Sequence, residues 1–243
     1  MKAAVLEKLG TAPVYKEAPD PVIENEDQLL LHVKAAAVKN LDKGRAAGTH
    51  YASYKTLPAV VGMDCVGFLE NGALVYAQGI SGTIAEKAII HKNQYVPLPA
   101  TINAAAAAAL PNAALGSLLA FIYRAKLQKG QTVLINGATG VTGMMAVQVA
   151  KLLGAQTVIA TGRNETQLQK LIQLGADEIL SLKQEDDAIT TRFKELYSKS
   201  PVDVVIDYLW GHPASLILKA LQGEGMHQES HPLRFVTVGS MAG

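Results

Sequence analysis

The amino-acid sequence predicts an α/β protein in which a β-rich first part precedes a doubly wound parallel sheet. Three observations lead to this fold class. Short apolar runs separated by glycine, proline and asparagine fill roughly the first hundred residues, as in small antiparallel β-sheets. From Thr132 onward, β-branched apolar runs alternate with helical patterns, which is typical of a parallel sheet. Three evenly spaced glycines stand between the first of these runs and its helix.

Length and composition narrow the function classes. The 243 residues suit one large domain or two small ones, and 49% hydrophobic against 18% charged residues excludes intrinsic disorder. A formal net charge of +1 excludes the basic surface of a nucleic-acid or anionic-membrane binder. Cys65 is the only cysteine, which excludes an internal disulfide and indicates a cytoplasmic protein.

The apolar runs predict neither a signal peptide nor a membrane span. Glu7 interrupts the N-terminus before the apolar core of a signal peptide develops. The longest apolar run begins at Ala104 and stops at Pro111, well short of the ~18 residues that a span requires.

The first predicted domain covers residues 1–111. Its strands are expected at residues 29–33, 60–61, 73–77 and 85–90. Pro97 and Pro99 mark a connector, after which residues 104–109 and 113–126 keep helical spacing on either side of a break at Pro111.

The second predicted domain covers residues 112–243 and contains five parallel strands. The strands are expected at residues 132–136, 157–161, 178–181, 202–207 and 234–238, and the helices between them at 144–153, 165–174, 187–198 and 213–221. Strands that are apolar on both faces indicate a sheet covered by helices on each side. Because the doubly wound dinucleotide-binding fold has six strands, we expect a sequence that is incomplete at its C-terminus, with the fifth strand at an open edge.

The glycine-rich loop is the strongest chemical signal. Gly137, Gly140 and Gly143 follow a predicted strand and open a predicted helix, with G-x-x-G-x-x-G spacing in place of the strict G-x-G-x-x-G. A tight turn, the approach of a pyrophosphate and close helix packing each require a residue without a side chain, and the helix N-terminus attracts phosphate. The alternative is a glycine-rich turn that binds nothing. The context favours a nucleotide bound by Gly137, Ala138, Thr139, Gly140, Val141 and Thr142.

The end of the second strand of this sheet selects the cofactor. An NAD site carries Asp or Glu there, whereas this chain has Gly162, Arg163 and Asn164. A guanidinium beside the adenosine ribose pairs with a 2′-phosphate, so the sequence predicts NADPH, with a solvated surface arginine as the alternative.

In order along the chain, these landmarks are similar to those of a known family. They are residues 1–5, 45–48, 57–67, 107–111, 137–151, 174–177 and 207–208. The sequence resembles the medium-chain dehydrogenase/reductase superfamily, and within it the zinc-independent quinone-oxidoreductase-like group. The resemblance covers nearly the whole chain. It implies a GroES-like catalytic domain, a Rossmann domain, a cleft between them for nicotinamide and substrate, and a homodimer of the full-length protein.

The resemblance also indicates where a metal would bind. Zinc-dependent relatives carry a histidine within a segment that here reads Gly62-Met63-Asp64, and a cysteine that here falls within residues 39–42. Neither imidazole nor thiolate is present at these positions, so we expect no metal.

Catalytic residues are expected in the first domain. Without a metal, reduction of a quinone or an activated enone needs a weak acid, and tyrosine suits that role. Tyr51 and Tyr54 lie where relatives place an active-site tyrosine; Tyr51 is preferred, and a surface-loop tyrosine is the alternative for either. Asp42 stands where relatives have an aspartate near the nicotinamide ribose.

Further cofactor contacts are expected from residues outside the loop. Asn112 faces the nicotinamide or caps a helix. Tyr208 follows the fourth strand of the sheet, as a cofactor contact or as part of a hydrophobic wall, and Gly239 and Ser240 follow the fifth strand.

Three functions remain open. The leading hypothesis is a zinc-independent NADPH-dependent oxidoreductase that acts on quinones or α,β-unsaturated carbonyls. The alternatives are a non-catalytic NADPH sensor and an enoyl-thioester reductase, which would need a basic patch for the carrier phosphates.

Overall fold

The computed structural model describes residues 1–221 and 231–239. It divides into two compact units, Met1–Asn112 and Ala113–Gly243, one residue from the boundary predicted from the sequence. A closed antiparallel barrel lies in the first unit and a five-stranded parallel sheet in the second, so the predicted fold class is confirmed.

The first unit combines the barrel with a small sheet. Its elements are β1 (Lys2–Leu6), β2 (Val14–Glu17), β3 (Gln28–Ala35), α1 (Asn40–Ala47), β4 (Ala59–Val60), β5 (Asp64–Leu69), β6 (Leu74–Gly79) and β7 (Lys87–Pro97). Strands β3, β5, β6 and β7 close the barrel, and β2, β1 and β4 form the three-stranded sheet. The described residues thus contain three strands, β1, β2 and β5, that the sequence pattern did not predict.

The residues of β5 show why this strand is hard to recognise from the sequence. Cys65 and Leu69 belong to the barrel core with Leu31, whereas Val66 packs on the other side with Leu74. Both faces of the strand are covered, so the alternation of polar and apolar residues that marks a half-exposed strand is missing.

One continuous helix replaces the two predicted helical segments. Helix α2 (Ala104–Leu119) runs through Pro111 and continues as a π-helical segment, Ala120–Ala125, so the expected break at Pro111 is wrong. The alanine-rich sequence favours the helix strongly enough to tolerate a proline that lacks an N–H to donate. By length and composition Ala104–Ala125 could cross a membrane, with a mean hydropathy of 1.7, a test that core helices also pass. Ala107 and Phe121 are buried, each in a different apolar cluster, whereas 28% of the apolar window of this helix is buried.

The second unit is a parallel sheet with the strand order β10-β9-β8-β11-β12. Its strands are β8 (Thr132–Asn136), β9 (Thr157–Gly162), β10 (Glu178–Ser181), β11 (Val204–Asp207) and β12 (Arg234–Thr237), and its helices are α3 (Val141–Leu152), α4 (Glu165–Gln173), α5 (Asp186–Lys199) and α6 (Gly211–Leu221). Alternate residues of β8 enter two separate cores: Val133 and Ile135 pack with helices α3 and α4, and Leu134 packs with α5 and α6.

The parallel register brings the loops of the site together. Asn136 at the end of β8 pairs with Asp207 at the end of β11, and Ile135 pairs with Ala160 near the end of β9. The loops that follow β8, β9 and β11 therefore leave the sheet at one edge, its carboxyl edge, where open α/β sheets bind ligands.

Candidate functional site

The loop after β8 requires glycine at two positions and stays open at a third. Gly137 has a φ of +86°, and a Cβ there would lie 2.7 Å from Leu209 Cγ. A Cβ on Gly143 would lie 2.5 Å from Ala138 Cα, so a side chain would push α3 off the loop. Gly140 has no atom within 4 Å of an added Cβ and offers no side-chain cap to α3. The positive end of α3 is therefore open to an anion.

The other predicted loop residues support this turn. The Ala138 N–H donates to the Thr161 carbonyl over 2.7 Å, and Ala138 is fully buried. Thr139 lies against Gly162, where a Cβ would meet its Cγ2 at 2.3 Å. Val141 is exposed, and the Thr142 carbonyl accepts from Ser117 over 3.4 Å.

A buried hydrogen-bond chain beneath the loop was not predicted. The Gly137 N–H donates to Thr161 Oγ1 (3.2 Å), the Thr161 hydroxyl donates to Asn136 Oδ1 (2.7 Å), and Asn136 Nδ2 donates to Asp207 Oδ1 (2.8 Å). Asn136, Thr161 and Asp207 are completely buried. Each step fixes the orientation of the next donor, so the chain ties the glycine loop to β9 and β11. A signal was present in the sequence, because Asn136 and Asp207 are polar residues that end apolar strands.

Arg163 lies just beyond β9, beside the loop. Its side chain is exposed and makes no hydrogen bond or ion pair with the described residues. Gly162 leaves room for Thr139, and Asn164 Oδ1 accepts from the Gln167 N–H over 3.0 Å as the N-cap of α4. Arg163 is thus available to an anion, whereas Asn164 already has a structural partner.

The remaining predicted cofactor residues differ in their burial and in their contacts. Tyr208 is buried, and its hydroxyl lies 2.6 Å from Ser117 Oγ; burial raises the pKa of Tyr208, which keeps the phenol protonated. Gly239 lies against the Tyr208 backbone, since an added Cβ would meet its carbonyl oxygen at 2.6 Å. Asn112 is exposed inside α2 and does not cap it, because Asn103 does. Ser240 lies outside the described residues.

A cavity of about 590 Å³ lies within the first unit. Its walls come from α1, from the loop before β4 and from the segments that follow β4 and β6. Both predicted tyrosines line it, together with Arg45, His50 and Met63. Its size and its mixture of apolar walls with a few polar groups fit a small organic ligand.

The two tyrosines are held very differently. Tyr51 is 95% exposed, and its ring lies beside that of His50, with centroids 4.2 Å apart. The Tyr54 hydroxyl accepts the Gly62 N–H over 3.2 Å, and the Arg45 guanidinium lies 4.4 Å above the Tyr54 ring centroid. Because the Tyr54 hydroxyl acts here as an acceptor, its proton is free for an acceptor in the cavity.

Asp42 is buried at the start of α1. Its Oδ2 accepts the Lys39 N–H over 2.9 Å, whereas Oδ1 is buried and accepts no hydrogen bond from the described part of the chain. A buried carboxylate oxygen without a donor is costly, and Asp42 Oδ1 is closed to solvent, so its placement does not by itself indicate a ligand contact.

A buried ion pair joins the two segments in which zinc-dependent relatives carry metal ligands. Lys39 Nζ contacts Asp64 Oδ1, with 6% and 9% of the two side chains exposed. The Tyr76 hydroxyl donates to Asp64 Oδ2 over 2.8 Å, and burial together with this bond raises the pKa of Tyr76. Asp64 therefore has a partner on each oxygen.

Comparison with known proteins reveals several relatives. A probable NADPH-dependent quinone reductase from Emericella nidulans is 30% identical over 95% of this chain and 72% of its own length. The chain belongs to the quinone-oxidoreductase-like group of the medium-chain dehydrogenase/reductase superfamily. The quinone oxidoreductase of Rattus norvegicus is 28% identical over 93% of this chain and 71% of its own length. The predicted family is thus confirmed, and the chain is an oxidoreductase.

Solved structures of oxidoreductases share this fold. The enzyme from Thermus thermophilus, determined alone and as a complex with NADPH, is 29% identical and superposes with a TM-score of 0.76 over 90% of this chain and 70% of that one. A probable oxidoreductase from Mycobacterium abscessus, 27% identical, has a TM-score of 0.78 over 89% and 72%.

The zinc-binding dehydrogenase family matches residues 141–227 of this quinone-oxidoreductase-like chain. That match lies within the unit that holds the glycine loop and does not include residues 39–64. In residues 1–221 and 231–239, no group of three or more His, Cys, Asp or Glu side chains could hold a metal ion. Of the histidines in this part of the chain, His231 contacts Asp203 over 3.0 Å.

Proposed function

We propose that this protein transfers a hydride from NADPH to a quinone or to an α,β-unsaturated carbonyl, with no catalytic metal. The observation that carries the proposal is the glycine loop, which leaves the N-terminus of α3 open, with Arg163 beside it and unpaired among the described residues. Two relatives, a probable NADPH-dependent quinone reductase and a quinone oxidoreductase that was also determined as a complex with NADPH, support the same proposal.

The residues present fit the dinucleotide. The amides at the start of α3 would bind its pyrophosphate, and Arg163 would bind the 2′-phosphate that distinguishes NADPH from NADH. A contact between Asp42 and the nicotinamide ribose rests on the family resemblance, because its Oδ1, unpaired among the described residues, is buried. When bound, the nicotinamide supplies the hydride.

Tyr54 is the proton donor in this proposal. As hydride reaches the substrate carbon, negative charge develops on the conjugated oxygen, and the Tyr54 hydroxyl donates its proton to that oxygen. The resulting charge on Tyr54 is stabilised by the Gly62 N–H and by Arg45 over its ring. Tyr51, the residue preferred from the sequence, is almost fully exposed and has no such support from the described residues.

The Lys39–Asp64 pair favours catalysis without a metal. The Lys39 ammonium and the Tyr76 hydroxyl already engage the two oxygens of Asp64, so this carboxylate is not free to bind a metal cation. We also propose a cytoplasmic location, which the single, buried Cys65 supports. Only the family resemblance supports a homodimer, and the molar mass from sedimentation of the purified protein would test it.

A steady-state assay tests the proposed function. The purified protein is mixed with NADPH and a panel of quinones and enones, before and after dialysis against EDTA. Turnover that survives chelation is expected. No turnover despite tight NADPH binding would identify a nucleotide sensor, and turnover that EDTA abolishes would overturn the metal-free mechanism.

A further inference from the structure

The loop after β11 holds a tryptophan in a strained backbone conformation. Trp210 has a φ of +56°, which a bulky residue adopts only when its surroundings force it. Among the described residues, Lys126 is the one other non-glycine with a positive φ, and it ends a helix, where this conformation is ordinary. Trp210 instead precedes α6, where a flanking residue normally has an extended backbone.

Contacts with the glycine-loop network hold this conformation. The buried Asp207 carboxylate accepts the Trp210 N–H over 3.1 Å and the Leu209 N–H over 3.0 Å. The same Asp207 oxygen accepts from Asn136, which leads through Thr161 to the Gly137 amide. The Leu209 side chain also fills the space that a Cβ on Gly137 would need. The strained residue is thus held by the groups that shape the glycine loop.

The indole of Trp210 is 46% exposed at the carboxyl edge of the sheet. Backbone strain of this kind clusters at ligand clamps, and the half-exposed Trp210 side chain leaves an aromatic surface that a ligand could contact. The strand order gives the direction: β11 lies on one side of β8, and β9, which leads to Arg163, lies on the other. With the pyrophosphate at α3 and the phosphorylated adenosine near Arg163, the other half of the dinucleotide extends toward β11.

We propose that Trp210 binds the nicotinamide half of NADPH by stacking against its ring. This inference rests on the proposed function. It assigns a specific contact to a residue that neither the glycine loop nor the predicted site residues include.

Calorimetric titrations of the full chain test the proposal with two ligands. One is NADPH, and the other is 2′,5′-ADP, which has the phosphorylated adenosine but no nicotinamide. Trp210→Gly is expected to weaken NADPH binding about tenfold, because aromatic stacking on a ring contributes on that scale, and to leave 2′,5′-ADP affinity unchanged. Trp210→Phe is expected to retain most of the NADPH affinity. Because Trp210 is the only tryptophan, NADPH but not 2′,5′-ADP should also quench the intrinsic fluorescence of wild type.

Lys126→Gly is the matched control. It places glycine at the other non-glycine position with a positive φ among the described residues, on an exposed residue outside the site. Because glycine adopts this conformation without a steric cost, the melting temperatures of Lys126→Gly and Trp210→Gly should equal or exceed that of wild type. The NADPH affinity of Lys126→Gly should be unchanged, and a tenfold loss there would overturn the proposal.

Three further outcomes are informative. Trp210→Gly with wild-type affinity for NADPH, or with equal losses for both ligands, would refute the stacking contact while the proposed function stands. A wild-type protein that binds neither ligand would refute the proposed function itself, and this inference with it.

Discussion

The buried pair of Lys39 and Asp64 gives a prediction about stability. In Lys39→Met, the Asp64 carboxylate keeps the Tyr76 hydroxyl but loses its paired cation, although less than a tenth of the side chain reaches solvent. Removal of one partner of a buried ion pair costs about 3–5 kcal/mol, because an uncompensated charge remains in the core. At about 2–4 °C per kcal/mol for a chain of this size, the melting temperature should fall by about 6–20 °C.

Thermal unfolding followed by circular dichroism measures the change, with two further variants. Lys92→Met removes one partner of the exposed pair with Asp27, whose N–O distance is 2.8 Å, and should cost less than about 1 kcal/mol. Lys39→Met combined with Asp64→Asn removes both buried charges and keeps an acceptor for Tyr76, so it should recover most of the loss. If Lys39→Met melts within a degree or two of Lys92→Met, the argument from burial is wrong.

Three other predictions concern the tyrosines, the glycine loop and the buried cysteine. Tyr54→Phe should lower kcat for quinone reduction by about 10²–10⁴ and Tyr51→Phe by less than about threefold; equal effects in single-turnover assays would reject the assignment of the donor. Gly137→Ala should weaken NADPH binding and destabilise the chain by at least about 1 kcal/mol, because the new side chain meets both a left-handed backbone and the packed Leu209. Gly140→Ala has open space for its methyl group and should fold normally, and calorimetry of the two variants measures the difference. Burial raises the pKa of Cys65 to about 12, so the folded protein should resist thiol reagents at pH 8, and rapid labelling of the folded chain would contradict this. Because the thiol of the unfolded chain ionises near pH 8.5 and that of the folded chain does not, the free energy of unfolding should decline from about pH 8.5 toward pH 12.

The fold could be predicted from the sequence where one local pattern decides an element. The alternation of apolar strands and helices after Thr132 is such a pattern, and all five predicted strands are present. The continuous helix through Pro111 was missed because the preference of the alanines outweighs the missing hydrogen bond, a balance that rules for single residues do not express.

The residues of the candidate site likewise differ in whether a local sequence pattern reveals them. The positions of the glycines and of Arg163 depend on the strand–loop–helix unit around them, and the sequence displays that unit directly. The choice between Tyr51 and Tyr54 depends on Gly62 and Arg45, which reach Tyr54 through the folded loop. The contacts of Asp207 likewise join residues about seventy positions apart, so only the folded sheet reveals them.

The selection of NADPH by Arg163 is tested by titrating wild type, Arg163→Ala and Arg124→Ala with NADPH and NADH. Arg124 is an exposed arginine outside the site and serves as the matched control. Wild type and Arg124→Ala should bind NADPH at least about tenfold more tightly than NADH, and Arg163→Ala should bind the two equally, because the lost guanidinium pairs only with the 2′-phosphate. Equal affinities in wild type, or a preference for NADPH that survives in Arg163→Ala, would contradict the account.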